Sequence, residues 1–208
     1  MLFRSIRPIT KDRAAVALAR ANTLAVLDLE SARDWVAPAD AAAPAASAEH
    51  VVYIVKNAPP AETMHALAGF VPDFTVKLGR ERAFQIGDPA NLPPAGYLWT
   101  NAISAGFSVA NYGVFVVNGK ALDPALVPYS KPDAAAFLED LKTFEASGQM
   151  PRLILIQSDD AGKVRDAIAN TRFRSNTQIV ESDPHRARAL LGLRPTTLHD
   201  VVGDGASR

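Results

Sequence analysis

Ser130-Lys-Pro-Asp-Ala-Ala-Ala-Phe-Leu-Glu-Asp-Leu-Lys-Thr-Phe-Glu-Ala-Ser-Gly148, continued by Gln149-Met-Pro-Arg-Leu-Ile-Leu-Ile156, is the stretch from which the fold is read. Phe137, Leu141 and Phe144 recur at helical spacing and make one apolar stripe. Ser130 is placed to cap this helix, Pro132 suits its first turn, and Asp133 completes a box-like pattern three residues after the serine. Gly148 ends it, because glycine accepts the left-handed backbone that closes a helix. The spacing predicts a helix over residues 131–147. Leu153 to Ile156 is then aliphatic without polar alternation, the pattern of a strand covered on both faces.

Working outward, the same alternation continues in both directions. Towards the C-terminus the pattern predicts a helix over Val164–Ala169, a strand over Gln178–Val180, and a helix over Pro184–Leu191 stopped by Gly192. Towards the N-terminus, His50–Val55 reads as a buried strand, and residues 60–69 as a helix with Pro60 in its first turn and Gly69 at its end. Residues 97–105 read as a helix with Leu98, Ala102 and Ala105 on one face. Gly113–Val117 reads as a strand that ends in the turn pair Asn118-Gly119. Strand–helix alternation of this kind predicts an α/β fold, a three-layer sandwich with a mostly parallel central sheet.

Ahead of this domain, two strands at Ala14–Ala19 and Thr23–Leu29 flank a polar turn and predict a β-hairpin within residues 1–36. A lone hairpin is not stable by itself, so it must pack on something larger. Residues 37–48, rich in Ala and Pro, offer no large apolar side chain and read as a linker to an α/β domain over 49–208. Leu2-Phe3-Arg4-Ser5 is also the translation of a string common in sequencing adapters, which makes a truncated reading frame the expectation at this end.

Composition narrows the function. The chain has 208 residues, 48% hydrophobic and 21% charged, enough to bury a core. Its formal net charge is zero, and it lacks the clustered excess of Lys and Arg that nucleic acid or an anionic membrane surface requires. No apolar run is long enough to cross a bilayer, and the N-terminus lacks a basic-then-apolar leader pattern. Cysteine is absent, so disulfides, thiolate catalysis and Cys-based metal sites are excluded. The four histidines, His50, His65, His185 and His199, show no spacing that would set two imidazoles on one helical face, and read as ordinary surface or helix-end residues. No Gly-x-Ser-x-Gly elbow, phosphate-binding loop or dinucleotide fingerprint occurs. Tyr97 and Trp99 read as core anchors.

Gly96-Tyr-Leu-Trp-Thr-Asn-Ala-Ile-Ser-Ala-Gly-Phe107, Asn111-Tyr-Gly-Val-Phe-Val116, Phe137-Leu-Glu-Asp-Leu-Lys-Thr-Phe-Glu145 and Met150-Pro-Arg-Leu-Ile-Leu155 follow one another in an order that resembles a known family. It is that of the bacterial phosphoesterases of the alkaline-phosphatase superfamily, the branch fused to YVTN-type β-propeller repeats. The resemblance spans roughly residues 50–200. It implies an alkaline-phosphatase-like sandwich in reduced form, a propeller-blade remnant in the N-terminal hairpin, a β-propeller domain or other protein as partner, and a periplasmic or secreted setting. It also implies a site of divalent metals held by carboxylates and histidines around a Ser or Thr nucleophile, where the cations offset the charge of the phosphoester.

Ligands of such sheets bind at the carboxyl ends of the strands, here after Val55, Ile156 and Val180. After the first, this chain has Lys56-Asn57-Ala58-Pro59 where the family has Lys-Glu-Asn, so a neutral amide replaces a carboxylate. Thr63 is the nearest hydroxyl to a nucleophile, or an ordinary helix residue. After the second, Gln157-Ser-Asp-Asp-Ala161 stands where the family has Asn-Asp-His-Thr; Asp160 keeps one carboxylate, while Ser158 or Asp159 is also placed to cap the next helix. After the third, Glu181-Ser-Asp183 stands where the family has Glu-Asp-Asp, and Asp183-Pro184 is equally a helix start. The family's last His-bearing strand has no counterpart, and His185 lies on the closing helix instead. The candidate metal ligands are therefore Asp160, Glu181 and Asp183. Without histidine, such a set suits hard cations, Mg²⁺, Ca²⁺ or Mn²⁺, over Zn²⁺.

Two functions follow from the resemblance. One is a degenerate phosphoesterase-like domain without catalysis or cofactor, acting as a binding or interaction module. The other is a reduced metal-dependent phosphoester hydrolase.

Overall fold

The computed structural model describes residues 15–20, 23–28, 48–57, 75–76, 80–81 and 96–194. Along the chain these form strands β1 (Ala15–Arg20), β2 (Thr23–Asp28), β3 (His50–Val55), β4 (Thr75–Val76) and β5 (Arg80–Glu81), then helix α1 (Leu98–Ser104). Strands β6 (Val109–Tyr112), β7 (Val116–Val117), β8 (Lys120–Ala121) and β9 (Ser130–Lys131) come next, with a 3-10 turn over Pro124–Tyr129 ahead of the last. Helix α2 (Ala134–Ser147), strand β10 (Leu153–Gln157), helix α3 (Ala161–Ala169), strand β11 (Thr177–Glu181) and helix α4 (Pro184–Leu191) complete the order. The helix predicted at 60–69, with Thr63 and His65, lies outside the described residues, as do His199 and the linker up to residue 47.

The central sheet has five strands in the order β11–β3–β10–β6–β9, and every neighbouring pair is parallel. Its middle strand β10 pairs with β3 from Leu153–Val51 through Gln157–Val55. Val51 to Val55 and Leu153 to Ile156 are apolar without a break because both faces are covered. Alternation sorts their side chains into two separate cores. Val51, Tyr53, Val55, Leu153 and Leu155 meet Leu98, Trp99 and Ala102 of α1 and Ala187, Leu190 and Leu191 of α4. Val52, Ile54, Ile154 and Ile156 meet Phe137 and Leu141 of α2 and Val164 and Ile168 of α3. Two helices on each face of a parallel sheet make the three-layer α/β sandwich. Each large aliphatic enclosed this way contributes about 1.5–3 kcal/mol.

The expected helix α2 forms, but Ser130 does not cap it. Asp133 does, its Oδ1 accepting the N–H groups of Ala135 and Ala136 at 2.9 and 3.0 Å. Ser130 instead belongs to edge strand β9, where its hydroxyl donates to the Leu126 carbonyl and accepts from Asn111. Gly148 ends the helix in the left-handed region, with its N–H bonded to the Phe144 carbonyl. The strand expected at Gly113–Val117 is also displaced. The residues that enter the sheet are Val109–Tyr112, and Val116–Val117 pair with Lys120–Ala121 in a minimal hairpin around Asn118-Gly119. Gly113, at φ +89°, makes the turn between the two; a Cβ there would lie 3.2 Å from the Pro132 carbonyl and 3.3 Å from Gln157.

The N-terminal hairpin pairs antiparallel from Ala15–Asp28 to Arg20–Thr23, as the sequence predicts. Ala48, at the end of the predicted linker, is buried, and its N–H reaches the Leu190 carbonyl. Tyr97 and Trp99 are core anchors, stacked with ring centroids 4.3 Å apart, and the Trp99 indole donates to Asp123 at 2.7 Å. His50 is buried rather than superficial: its Nδ1 lies 3.1 Å from the Pro151 carbonyl and its ring meets Phe173 edge-on.

Candidate functional site

Parallel register brings the carboxyl ends of β3, β10 and β11 side by side. Ser158 N–H bonds to the Val55 carbonyl and Ser182 N–H to the Ile54 carbonyl, extending the ladder by one residue on each flank of β3. Lys56-Asn57, Ser158-Asp159-Asp160 and Ser182-Asp183 therefore share one rim, the place where parallel sheets bind ligands.

Asn57, Gln157 and Asp159 close into one cluster on this rim. The Asn57 amide donates to Asp159 Oδ2 at 2.6 Å, its backbone N–H donates to Asp159 Oδ1 at 2.9 Å, and its own side-chain oxygen accepts from Gln157 Nε2 at 2.6 Å. The two donations from Asn57 hold the Asp159 carboxyl below the usual carboxylate range, with Lys56 helping. The Asn57 side-chain oxygen is thus already engaged.

The three predicted ligands each answer to their own element. Asp160 caps α3, accepting the Lys163 N–H at 3.0 Å. Asp183 caps α4, accepting the Arg186 N–H at 3.0 Å, with Pro184 in the first turn. Glu181, half-buried at the end of β11, forms an ion pair with Arg165 of α3 and lies 3.9 Å from Lys56. Between Glu181 and Asp183, Ser182 takes a left-handed backbone (φ 49°), which turns the chain from strand to helix within two residues. Among the described residues, no three His, Cys, Asp or Glu side chains come together in a group that could hold a metal ion. As arranged, these residues do not fit a bound dication.

Behind the rim, Tyr53 is enclosed in the sheet. Burial, and then the negative charge of Asp183, push its phenol well above the ordinary range, while Arg188 pulls the other way. Arg188 is itself buried on α4, and its guanidinium donates to the Gly96 carbonyl at 3.0 Å, tying α4 to the segment that leads into α1. Sequence reading passed over Arg188, because one arginine among several in a short basic helix gives no sign of burial. It also missed Asn57–Asp159–Gln157 as a unit. Residues 57 and 157 meet only because β3 and β10 are sheet neighbours, which no local pattern states.

No family model, curated protein or solved structure matches this chain. No helix among the described residues is long and apolar enough to cross a membrane.

Proposed function

We propose that this chain is a degenerate phosphoesterase-like domain that acts, without catalysis, as a binding or interaction module, with a β-propeller domain as the partner that the sequence resemblance suggests. One arrangement supports this reading: the acidic side chains of the carboxyl rim serve the rim itself. Asp160 and Asp183 cap helices, Asp159 is clamped by Asn57, and Glu181 is neutralised by Arg165 with Lys56 nearby. Hard cations need several oxygens converging at roughly 2.0–2.6 Å. Two cationic side chains beside Glu181 oppose a dication there by simple repulsion. A scaffold outlives such a site because packing and chemistry rest on different residues.

Calorimetric titration of the full chain with Mg²⁺, Ca²⁺, Mn²⁺ and Zn²⁺, alongside turnover of bis(4-nitrophenyl) phosphate, tests the reading. The expected result is no saturable heat and no hydrolysis. Saturable metal binding that disappears in Asp183→Asn, together with metal-dependent hydrolysis, would overturn it in favour of the reduced hydrolase.

A further inference from the structure

Asn118-Gly119 occupies the tip of the β7–β8 hairpin, and it is the one Asn-Gly pair in the chain. Both residues are exposed and both have left-handed backbones, φ 50° and 74°. Val117 pairs with Lys120 across them, so the turn is a two-residue loop of the kind that Asn-Gly favours. A Cβ built on Gly119 would meet nothing within 4 Å. The other described asparagines differ. Asn57, Asn111, Asn170 and Asn176 have their amides hydrogen-bonded, to Asp159, to Val114 and Ser130, to Asp166 and to Glu49 respectively, and Asn101 lies within α1. Each of these five is followed by a residue with a side chain, which crowds its backbone nitrogen.

We infer that Asn118 is a site of spontaneous covalent modification, deamidating through a cyclic imide. The backbone nitrogen of Gly119, after giving its proton to solvent base, attacks Asn118 Cγ. A C–N bond forms, the bond from Cγ to Nδ2 breaks, and the side-chain nitrogen leaves as ammonia after taking up a proton. Water then opens the five-membered imide. Attack at the side-chain carbonyl leaves aspartate, and attack at the backbone carbonyl leaves isoaspartate, with the chain routed through the former side chain. One water is consumed, one ammonia is released, and no oxidant or reductant is needed.

Ring closure requires Asn118 to leave its left-handed turn, so the hairpin must open first. Each strand of that hairpin is two residues long. So small a ladder opens locally, without unfolding the sheet behind it. The product adds a negative charge between Val117 and Lys120, and isoaspartate lengthens the backbone by one atom within a two-residue loop.

Incubation of the full chain in mildly alkaline buffer, followed by peptide mapping with mass spectrometry, tests this. The expected result is amide loss at Asn118 ahead of every other described asparagine, as a mixture of aspartate and isoaspartate, with the sheet still folded by circular dichroism. Asn118→Gln, which closes such a ring far less readily, should abolish that early product and leave the fold intact. Earlier loss at any other described asparagine, or an unchanged Asn118 after the exposed asparagines of a denatured control have reacted, would overturn the assignment.

Discussion

From Val51 to Val55 the strand β3 is enclosed on both faces, whereas two residues further along Asn57 stands in solvent, held by Asp159 and Gln157. The same contrast holds on β10, where Leu153 to Ile156 are fully buried and Asp159 is exposed. The interior of the sheet is made of shape-filling aliphatics whose removal leaves a void. The rim is made of short polar contacts that satisfy one another. This chain therefore depends on its sheet for stability far more than on its rim, although the rim is where parallel sheets bind ligands.

Substitutions on either side measure how sharp that contrast is. The largest effect is expected inside: Leu155→Ala removes a fully buried side chain from the centre of β10 and should cost about 3 kcal/mol, read as a lowered urea midpoint. A cost well under 1 kcal/mol would mean that the core collapses around the gap and that the contrast is weaker than drawn.

At the rim, Asp183→Ala should cost about 1 kcal/mol as the N-cap of α4 is lost, while Asp183→Asn should be nearly neutral in the same assay, because both Asp and Asn cap well. An Asn variant as damaging as the Ala variant would show that the charge of Asp183, rather than its capping bond, is what the protein uses.

The smallest effect concerns Asp159, and it depends on pH. Its carboxyl is held below its usual range in the folded protein, so its contribution is present above the unfolded-state value and fades as pH falls through the lowered folded value. Asn57→Ala removes the amide donor and should flatten the acid limb of the stability curve slightly while leaving neutral-pH behaviour close to the parent. An unchanged acid limb would mean that solvent replaces Asn57 at no cost.

Legibility in the sequence followed the same divide. Helices α2 and α4 were readable because each ends at a local stop, Gly148 or Gly192, and strand β10 because its run is aliphatic without a break. The errors fell where a local rule met a tertiary demand. Ser130 looks like a cap three residues before Asp133, yet β6 needs an edge partner, and Ser130 is drawn into β9 beside Asn111. Val114 and Phe115 look like strand residues, but Gly113 turns them out of the sheet to cover the α1 face. Of the rim, capping was visible as a competing role for Asp183 because Asp-Pro is a helix start in itself. For the next helix the sequence points to Ser158 or Asp159 as the cap, whereas the geometry of the turn gives that role to Asp160.

By itself, the amino-acid sequence determined the α/β class of the fold and the apolar stripe of α2, since hydrophobic period, proline and glycine act over one or two turns of chain. Strand order, β11–β3–β10–β6–β9, was decided by tertiary structure alone. With it came the meeting of Asn57 with Asp159, of Glu181 with Arg165 and of Arg188 with Gly96. Those pairs are joined by adjacency across the folded molecule, and adjacency of distant residues is a property of the whole packing that no window of sequence contains.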